Sequence, residues 1–434
     1  MNPLLKPPCD PQDALEVLKR LRGAGHIAYF AGGCVRDKLL GQTPKDWDVA
    51  TDAPPPRVRE LFSKTEAVGA AFGVILVRHR QSVIEVATFR TDLDYEDGRR
   101  PTAIRFTTAE EDAQRRDFTI NGLFFDPIEN RVIDYVGGRE DLQNHRLRAI
   151  GDPSQRFEED QLRLLRAVRF AARFELTIDP PTARAIKKIA PRLKGISPER
   201  IGDELRLMLS PPARSAAWRL LWEFDLAPVI FRFLPKLPPS GLNMEQSIFL
   251  RLVPDETISI GLALAAATLC VQRQADPSVD VTTLLKKPAI SQAVRAMRQA
   301  LKISNAESDE MALTLSGLEP MLAVDPPALA MKMRFLAEPT SPLSRRLMKA
   351  LADLHLHDAR ISALAAEFET LQHAKLAPAP LLNGDELTAA GYEPGPIFKR
   401  ILATVYDAQL ESRISTKTQA LEMAAKLVTQ SPRS

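Results

Sequence analysis

The spacing of apolar residues in the first 150 positions alternates between a helical period and a strand period. A helix is predicted from Pro11 to Gly23, because apolar side chains recur there at intervals of three and four. Short apolar runs predict strands at 27–30, 74–77 and 82–88. In the last of these, Glu85 lies mid-strand, where a carboxylate is unfavourable unless it is paired or binds a metal. The alternative is an edge-strand glutamate that faces water.

From Arg156 onward the pattern is mostly helical. One helix is predicted over 155–174, with an apolar stripe and a basic stripe. The basic stripe consists of Arg163, Arg166, Arg169 and Arg173. Glu159 and Asp160 precede Arg163 by four and three residues, which predicts that all three lie on one helix face. This face is either an ordinary set of ion pairs or a donor and acceptor edge for a nucleobase.

The remaining pattern predicts helices separated by proline-rich breaks. Ser197-Pro198 starts one helix, and Pro211-Pro212 marks a candidate boundary. The most apolar run, 258–271, is too short to cross a bilayer and predicts a buried helix. Residues 374–380 form a candidate linker before a final helical segment. The chain is therefore predicted to be α+β, with a small mixed β-sheet followed by helices.

A glycine pair and two carboxylates carry the first candidate chemistry. If 46–49 is extended, Asp46 and Asp48 project from the same face and repel each other unless a cation lies between them. Such an oxygen pair suits Mg²⁺. Gly32 and Gly33 would let backbone amides approach a phosphate. The stretch predicts a metal–nucleotide site, although Gly-Gly is also an ordinary turn and Asp-x-Asp also arises by chance.

Residues 90–116 are dense in charge and contain the turn sequence Asp97-Gly98-Arg99-Arg100-Pro101. A polar segment of this kind inside a compact domain predicts a mobile functional loop. His355, His357 and Asp358 raise a second metal hypothesis. Because no histidine occurs from 146 to 354, solvated or capping histidines on a helix are the favoured interpretation.

Bulk properties narrow the class of protein. A chain of 434 residues is long enough for two to four domains. Its net charge of +3, from 58 basic and 55 acidic residues, neither requires nor excludes nucleic acid. Three distant cysteines without a Cys-x-x-Cys argue against a disulfide framework or zinc cluster. With no signal peptide or membrane span recognised in the sequence, a cytoplasmic location and no membrane partner are expected.

Five ordered motifs now carry a resemblance. They are 31–37 with Asp46 and Asp48, then 115–121, 134–142, 156–167 and 199–205. Together they resemble the class II tRNA nucleotidyltransferases of the DNA polymerase beta superfamily, which include CCA-adding enzymes and bacterial poly(A) polymerases. The resemblance implies a nucleotidyltransferase head at 1–145, followed by an all-helical neck at 146–210, body at 211–373 and tail at 374–434. The tail is expected to bind tRNA.

The resemblance also implies roles for individual residues. Asp46 and Asp48 are expected to hold two Mg²⁺ ions, with Glu85 as the third acidic residue near them. Asp160 and Arg163 are expected to select the incoming base, with Glu159 bracing Arg163. The remaining nucleotide-binding residues are expected to be Gly32, Gly33, Arg36, Arg115, Arg116, Asp117, Asn121, Arg166 and Arg169. Of these, Asp117 and Asn121 resemble the ribose-recognising motif, and Arg115 or Arg116 faces the triphosphate.

The expected reaction is template-independent addition of CCA, from CTP and ATP, to the 3′ end of tRNA. Asp97 and Arg99 fall in the segment that resembles the family's flexible loop, which argues against an enzyme that adds only C. Residues 391–409 resemble the tail of CCA-adding members. Addition of A alone and poly(A) synthesis share the same motifs and stay open. A non-catalytic RNA-binding relative is disfavoured, because a binding module does not need a metal cage.

Overall fold

The computed structural model describes residues 9–69, 72–96, 100–234, 237, 241–252, 256–371, 373–392 and 396–429. The chain divides into two compact units. Unit 1 comprises Met1–Met208 and Ala216–Phe231, and unit 2 comprises Leu209–Ser215 and Arg232–Ser434. In the described ranges, no helix has the length and apolar character needed to span a bilayer.

All the strands of the described chain lie in unit 1. They are β1 (Ala28–Ala31), β2 (Val49–Thr51), β3 (Thr65–Gly69), β4 (Val74–His79), β5 (Ser82–Thr88), β6 (Arg90–Glu96), β7 (Arg100–Phe106), β8 (Leu123–Asp126), β9 (Arg131–Asp134), β10 (Arg146–Leu147) and β11 (Thr177–Ile178). Seven of them form a mixed sheet in the order β3-β4-β5-β2-β1-β8-β9. Only the β2–β5 pair in this sheet is parallel. The mixed sheet predicted from sequence is confirmed.

Helices begin before the sheet and dominate the chain after it. Up to residue 230 they are α1 (Pro11–Gly23), α2 (Gly33–Leu39), α3 (Pro55–Leu61), α4 (Ala109–Gln114), α5 (Gly138–Gln143), α6 (Pro153–Glu159), α7 (Leu162–Phe174), α8 (Pro180–Ile189), α9 (Pro198–Leu209), α10 (Arg214–Glu223) and α11 (Leu226–Ile230). The predicted first helix has the bounds of α1, where Asp10 caps the start by accepting from the Gln12 amide at 2.8 Å.

The described part of unit 2 contains helices joined by turns and loops, and no strand. Its remaining helices are α12 (Ile260–Ala275), α13 (Val281–Leu284), α14 (Lys287–Leu301), α15 (Asn305–Ser316), α16 (Glu319–Leu322), α17 (Leu329–Ala337), α18 (Ser341–Ala352), α19 (Asp358–Leu371), α20 (Gly384–Ala389), α21 (Pro396–Leu410) and α22 (Lys417–Thr429). The predicted buried apolar helix is α12, whose residues 261–271 are all buried.

Strand alternation is confirmed in β5. Ile84, Val86 and Thr88 are buried, whereas Val83, Glu85 and Ala87 are half-buried on the opposite face. The buried face belongs to the hydrophobic interior of the sheet, because side chains of one face alternate along a strand. Glu85 therefore lies on the face that leaves a carboxylate accessible.

Three sequence predictions about local structure are wrong. The strand predicted around the two aspartates starts only at Val49, so Asp46 and Asp48 precede it. The described residues of 90–116 form the antiparallel strands β6 and β7 and helix α4, so most of the predicted loop has regular secondary structure. The single helix predicted over 155–174 is two helices, α6 and α7, separated at Asp160 and Gln161. Asp160 has φ −148° and ψ 101°, so it is extended and not helical.

Candidate functional site

A cavity of about 730 Å³ in unit 1 brings together most of the predicted site residues. The predicted residues that line it are Gly32, Gly33, Arg36, Asp46, Asp48, Glu85, Arg115, Arg116, Asp117, Asn121, Asp160, Arg163, Arg166 and Arg169. Glu159 lies behind the lining and contacts it through Arg163. Asp97 and Arg99 fall outside the described residues.

Sheet register explains how the acidic residues meet. Val49 of β2 pairs in parallel with Val86 of β5. Asp48 and Glu85 each come one residue before this pair, so they lie at the same level of the sheet. The Ala31 amide also donates to the Asp48 carbonyl at 3.0 Å, which extends the β1–β2 pairing. Trp47 packs against Phe30 with ring centroids 4.8 Å apart, whereas both aspartates line the cavity.

The donor set fits a hard cation held by few protein ligands. Within the part of the chain that the structure describes, no three His, Cys, Asp or Glu side chains group closely enough to hold a metal ion. Asp46 is exposed, and Asp48 and Glu85 are half-buried. Mg²⁺ in nucleotide enzymes commonly takes one or two carboxylates and completes its shell with substrate phosphates and water. Two aspartates on the cavity wall suit that arrangement, whereas a closed three-residue cage is not formed.

Cys34 lies against the same wall without offering a nucleophile. Burial raises the pKa of its thiol to about 12, and the negative charge of Asp48 adds to the effect. The Sγ atom donates to the Ala31 carbonyl at 3.3 Å. The thiol therefore stays protonated at neutral pH and serves as a packed side chain.

Asp112 holds the two adjacent arginines that line the cavity. Its Oδ1 accepts from Arg115 Nη2 at 2.8 Å, and its Oδ2 accepts from Arg116 Nη2 at 2.9 Å. Burial alone would raise the pKa of Asp112, but the charges of Arg116 and Arg115 outweigh it and lower the pKa. Gly32 makes room for this arrangement, because a Cβ there would lie 2.8 Å from Arg116 Nη1.

The predicted ribose motif is tightly hydrogen-bonded. Asp117 Oδ1 accepts from Asn121 Nδ2 at 3.0 Å, and Asp117 Oδ2 accepts from Arg166 Nε at 2.8 Å. Burial would raise the pKa of Asp117, but Arg166 and the Asn121 amide hold it well below its usual range. Asp117 is therefore an anion, fixed in orientation, on the cavity wall.

The predicted base-selecting residues do not lie together on one helix face. Arg163 Nη1 donates to Glu159 Oε2 at 2.8 Å, so the predicted Glu159–Arg163 contact is present. Asp160, in the break between α6 and α7, accepts instead from the Leu162 amide and from Arg200 Nη2. The predicted sharing of one face by all three residues is wrong, yet Asp160 and Arg163 line the same cavity.

All four arginines of the basic stripe on α7 pair with carboxylates, and Arg163 does so with Glu159 at 2.8 Å. Arg166 pairs with Asp117, Arg169 with Glu204 at 2.7 Å, and Arg173 with Asp37 at 3.4 Å. Arg169 also stacks on Phe170, with 4.4 Å from its Cζ atom to the ring centroid. These ion pairs hold the arginines of the stripe along the wall of the cavity.

Sequence reasoning did not assign site roles to several cavity residues, among them Arg90, Phe170, Arg173 and Arg200. Asp112, which anchors two cavity arginines, was also missed. Its spacing of three and four residues before Arg115 and Arg116 is a helical ion-pair signal that could have identified it. Arg200 pairs with Asp160 across forty positions, a contact that spacing cannot predict.

The histidines of the second metal hypothesis lie in a turn and not on a helix. His355 and His357 have φ values of 58° and 56°, directly before α19. His355 pairs with Asp358 at 3.4 Å, and His357 with Asp280 at 3.2 Å. The prediction that they lie on a helix is wrong.

Comparisons with known proteins bear on the same residues. Residues 28–148 match the family described as Poly A polymerase head domain, and residues 175–237 match one described as Probable RNA and SrmB- binding site of polymerase A. The chain is 43% identical over 231 residues to Poly(A) polymerase I of Salmonella typhi, covering 51% of this chain and 50% of the relative. It is 43% identical over 223 residues to the CCA-adding enzyme of Geobacillus stearothermophilus, covering 51% of this chain and 54% of the relative. The chain thus spans about half the length of the curated relatives it matches.

A solved structure extends the similarity along the chain. The CCA-adding enzyme of Bacillus stearothermophilus in complex with CTP matches with a TM-score of 0.73 and 27% identity, covering 97% of this chain and 99% of that one. The head match, the RNA-binding match and this structural similarity agree with the five motifs seen in the sequence. The chain is therefore similar to poly(A) polymerases over residues 28–148 and 175–237, and to a CCA-adding enzyme in its fold.

Proposed function

We propose that this protein is a template-independent nucleotidyltransferase that adds CCA, from CTP and ATP, to the 3′ end of tRNA. The observation that carries the proposal is the single cavity lined by Asp46, Asp48, Asp117, Asp160 and Arg163. It combines carboxylates suited to a metal, a fixed ribose motif and a carboxylate–guanidinium pair suited to a base edge. Each is a requirement of nucleotide transfer.

Asp46 and Asp48 are the residues that would hold magnesium, with Glu85 beside them. Magnesium bound there would supply Lewis-acid charge for in-line attack of a 3′-hydroxyl on the α-phosphate, with pyrophosphate as the leaving group. Arg115 and Arg116 place fixed positive charge on the same cavity wall. That charge suits a triphosphate, because guanidinium groups bind phosphate oxygens through several hydrogen bonds at once.

Asp160 and Arg163 account for choosing CTP and ATP without a template. Cytosine and adenine both present an exocyclic N–H donor beside a ring-nitrogen acceptor. A carboxylate accepts from the first and a guanidinium donates to the second. Uracil and guanine reverse this order and would leave polar groups unsatisfied, at roughly 1–3 kcal/mol each.

The domain division that goes with this function is a head at 1–145, a neck at 146–210, a body at 211–373 and a tail at 374–434. The tail has its own apolar cluster, which supports treating it as a folding element. That cluster contains Leu382, Leu387, Ile401, Val405, Ala420 and Ala424. The match of residues 175–237 to a family described as RNA-binding supports contact with the tRNA substrate.

Poly(A) synthesis is the second candidate function. It is favoured by the 43% identity to Poly(A) polymerase I of Salmonella typhi, which equals that of the CCA-adding relative. Addition of A alone to tRNA ending in CC uses the same residues. The three activities differ in their products and not in the cavity.

The products therefore test the proposal. The purified full chain is supplied with tRNA lacking CCA, tRNA lacking only the final A, or unrelated RNA, each with CTP, ATP or both. Addition that stops after three nucleotides on the first tRNA is the expected result. One A added only to CC ends would support the A-adding activity, and long tails would support poly(A) synthesis.

A matched pair of substitutions tests the acidic residues. Asp48→Asn should abolish incorporation of both nucleotides, because the metal loses a charged ligand, while tRNA binding stays near that of the wild type. Asp52→Asn is the control, since Asp52 lies directly after β2 and accepts from the Ile27 amide at 2.9 Å outside the cavity. Residual incorporation above a few per cent in Asp48→Asn would refute the metal role.

A further inference from the structure

Six side chains form a continuous hydrogen-bonded circuit that starts and ends on helix α7. In order they are Arg166, Asp117, Asn121, Arg36, Asp37 and Arg173. Arg166 and Arg173 are seven residues apart, so they lie on nearly the same side of the helix, two turns from each other. The circuit joins α7 to the turn at Thr119–Asn121 and to α2.

Arg36 lies at the centre of this circuit, and its side chain is occupied by protein partners. Nε and Nη2 donate to Asp37 Oδ1 at 2.8 and 2.6 Å, and Nη1 donates to Asn121 Oδ1 at 2.6 Å. Its Cζ atom lies 4.3 Å from the Phe174 ring centroid and 5.1 Å from that of Phe170. Only 4% of the residue is exposed. These contacts use three of the five N–H donors of the guanidinium and hold it in one orientation.

The hydrogen bond from Arg36 sets the orientation of the Asn121 amide. A guanidinium can only donate, so the Asn121 oxygen must face it and the amide nitrogen must face the Asp117 carboxylate. Nδ2 carries two hydrogens, of which one is donated to Asp117. Asn121 lines the cavity, so the second hydrogen can donate to a sugar hydroxyl.

We propose that Arg36 is a positioning residue for ribose recognition: it fixes Asn121, and through it Asp117, for the 2′-hydroxyl of the nucleotide. This inference rests on the proposed function, since the sugar concerned belongs to the nucleotide placed in this cavity. The sequence predicted that Arg36 contacts the nucleotide directly, and the positioning role is proposed from its hydrogen bonds to Asp37 and Asn121. The consequence is that Arg36 governs the preference for ribonucleotides over 2′-deoxyribonucleotides.

Arg36→Lys in the full chain tests this role. Lysine keeps the positive charge but lacks the planar fork needed to bond Asp37 and Asn121 together. Binding of ATP and of dATP is measured by isothermal titration with Mg²⁺ present. Affinity for ATP should fall about tenfold while affinity for dATP changes little, because the lost interaction is with the 2′-hydroxyl. An equal loss for both ligands would overturn the proposal, as would a wild type that binds both equally.

A double-mutant cycle with Asn121→Ala separates positioning from direct contact. In the Asn121→Ala background, Arg36→Lys should not change the ratio of the affinities for ATP and dATP any further. A further change of about tenfold in that background would show that Arg36 acts on the sugar independently of Asn121, and would overturn the proposal.

Two more variants distinguish a change in nucleotide preference caused by the circuit from one caused by misfolding. Arg173→Gln removes the half-exposed end of the circuit. It should lower the ratio of the affinities for ATP and dATP, as Arg36→Lys does, but by a smaller factor. An unchanged ratio in both Arg173→Gln and Arg36→Lys would overturn the inference. Arg22→Gln is the matched control, because Arg22 also pairs with a buried aspartate, Asp126, and lies 5.6 Å from an aromatic ring, that of Tyr29, outside the cavity. Its ratio should equal that of the wild type.

The binding measurement is independent of the product assay. A wild type that fails to extend tRNA, yet prefers ATP over dATP and loses that preference in Arg36→Lys, would refute the proposed reaction and retain the positioning role. If the wild type extends tRNA but Arg36→Lys keeps the preference for ATP over dATP, the proposed reaction is retained and the positioning role is refuted.

Discussion

At the scale of single residues, the conformation of Asp160 depends on a partner from another helix. Both of its carboxylate oxygens accept from Arg200 Nη2, at 3.1 and 3.0 Å, and Oδ1 also accepts from the Leu162 amide at 3.1 Å. The second terminal nitrogen of Arg200, Nη1, is buried and has no hydrogen-bond partner in the described chain. Arg200 therefore restricts the carboxylate that we place against the exocyclic amine of the base.

Replacing Arg200 should weaken base selection. Arg200→Met removes the donor that orients Asp160 but keeps an apolar stem of similar length. We expect discrimination between CTP and UTP, measured as the ratio of their kcat/KM values, to fall about tenfold, since one charge-assisted hydrogen bond is worth roughly 1.5–3 kcal/mol. The control is Arg206→Met on the same helix, where Arg206 pairs with the exposed Asp203. An unchanged ratio in Arg200→Met would show that Asp160 is oriented without it.

The sequence predicted which residue types belong to the site, but not all of their partners. Carboxylate spacing and the motifs identified Asp46, Asp48, Asp117 and Asp160, all of which line the cavity. The motifs assigned Arg36 to the nucleotide, yet its contacts are with Asp37 and Asn121. Asn121 is 85 positions from Arg36, so the spacing of polar and apolar residues cannot predict this contact.

At the scale of elements, helix α5 holds the turn that carries Asn121. Gly138 at its start lies so close to this turn that a Cβ would be 2.2 Å from the Thr119 carbonyl oxygen. One turn along the helix, Asp141 accepts from the Thr119 hydroxyl at 2.6 Å. The close approach of α5 thus fixes the backbone from which Asn121 reaches the cavity.

A methyl group at Gly138 should displace this turn. Gly138→Ala is expected to lower the free energy of unfolding by about 1–3 kcal/mol, the usual effect of overpacking, and to weaken ATP binding as Asn121 moves. Urea denaturation and titration with ATP measure the two effects. Gly195→Ala is the matched control, because no atom lies within 4 Å of a Cβ there and its stability should stay within about 0.5 kcal/mol. Equal stability of the two variants would contradict the packing argument.

Elements with regular periodicity were predicted better than their interruptions. The bounds of α1 and β5 follow from apolar spacing alone, whereas β4 extends two residues beyond the predicted 74–77. The break between α6 and α7 was missed because helical spacing links Glu159, Asp160 and Arg163 across it, whereas the Asp160 carboxylate pairs with Arg200, forty positions away. The antiparallel pair of β6 and β7 was missed because residues 90–106 are dense in charge, and the pairing is made by the backbone.

At the scale of the whole molecule, the tryptophans are confined to one of the two units. The chain has three, Trp47, Trp218 and Trp222, and all belong to unit 1. The proposed nucleotide site is formed by residues of unit 1 as well. Tryptophan fluorescence therefore follows the unit that contains the site, whereas calorimetry follows the unfolding of the entire chain.

This distribution makes the location of the nucleotide site testable without any substitution. A ligand that binds only the folded form of one unit stabilises that unit, by about 2.7 kcal/mol at a hundred times its Kd. With ATP and Mg²⁺ added, the midpoint temperature of unfolding measured by tryptophan fluorescence should rise. Any calorimetric transition that is not accompanied by a change in fluorescence should stay at the same temperature. Inorganic phosphate at the same ionic strength is the control for non-specific stabilisation. A ligand stabilises the unit that it contacts. If ATP and Mg²⁺ raised only the midpoint temperature of the calorimetric transition that has no fluorescence signal, nucleotide binding would lie in unit 2, which would contradict the proposed site.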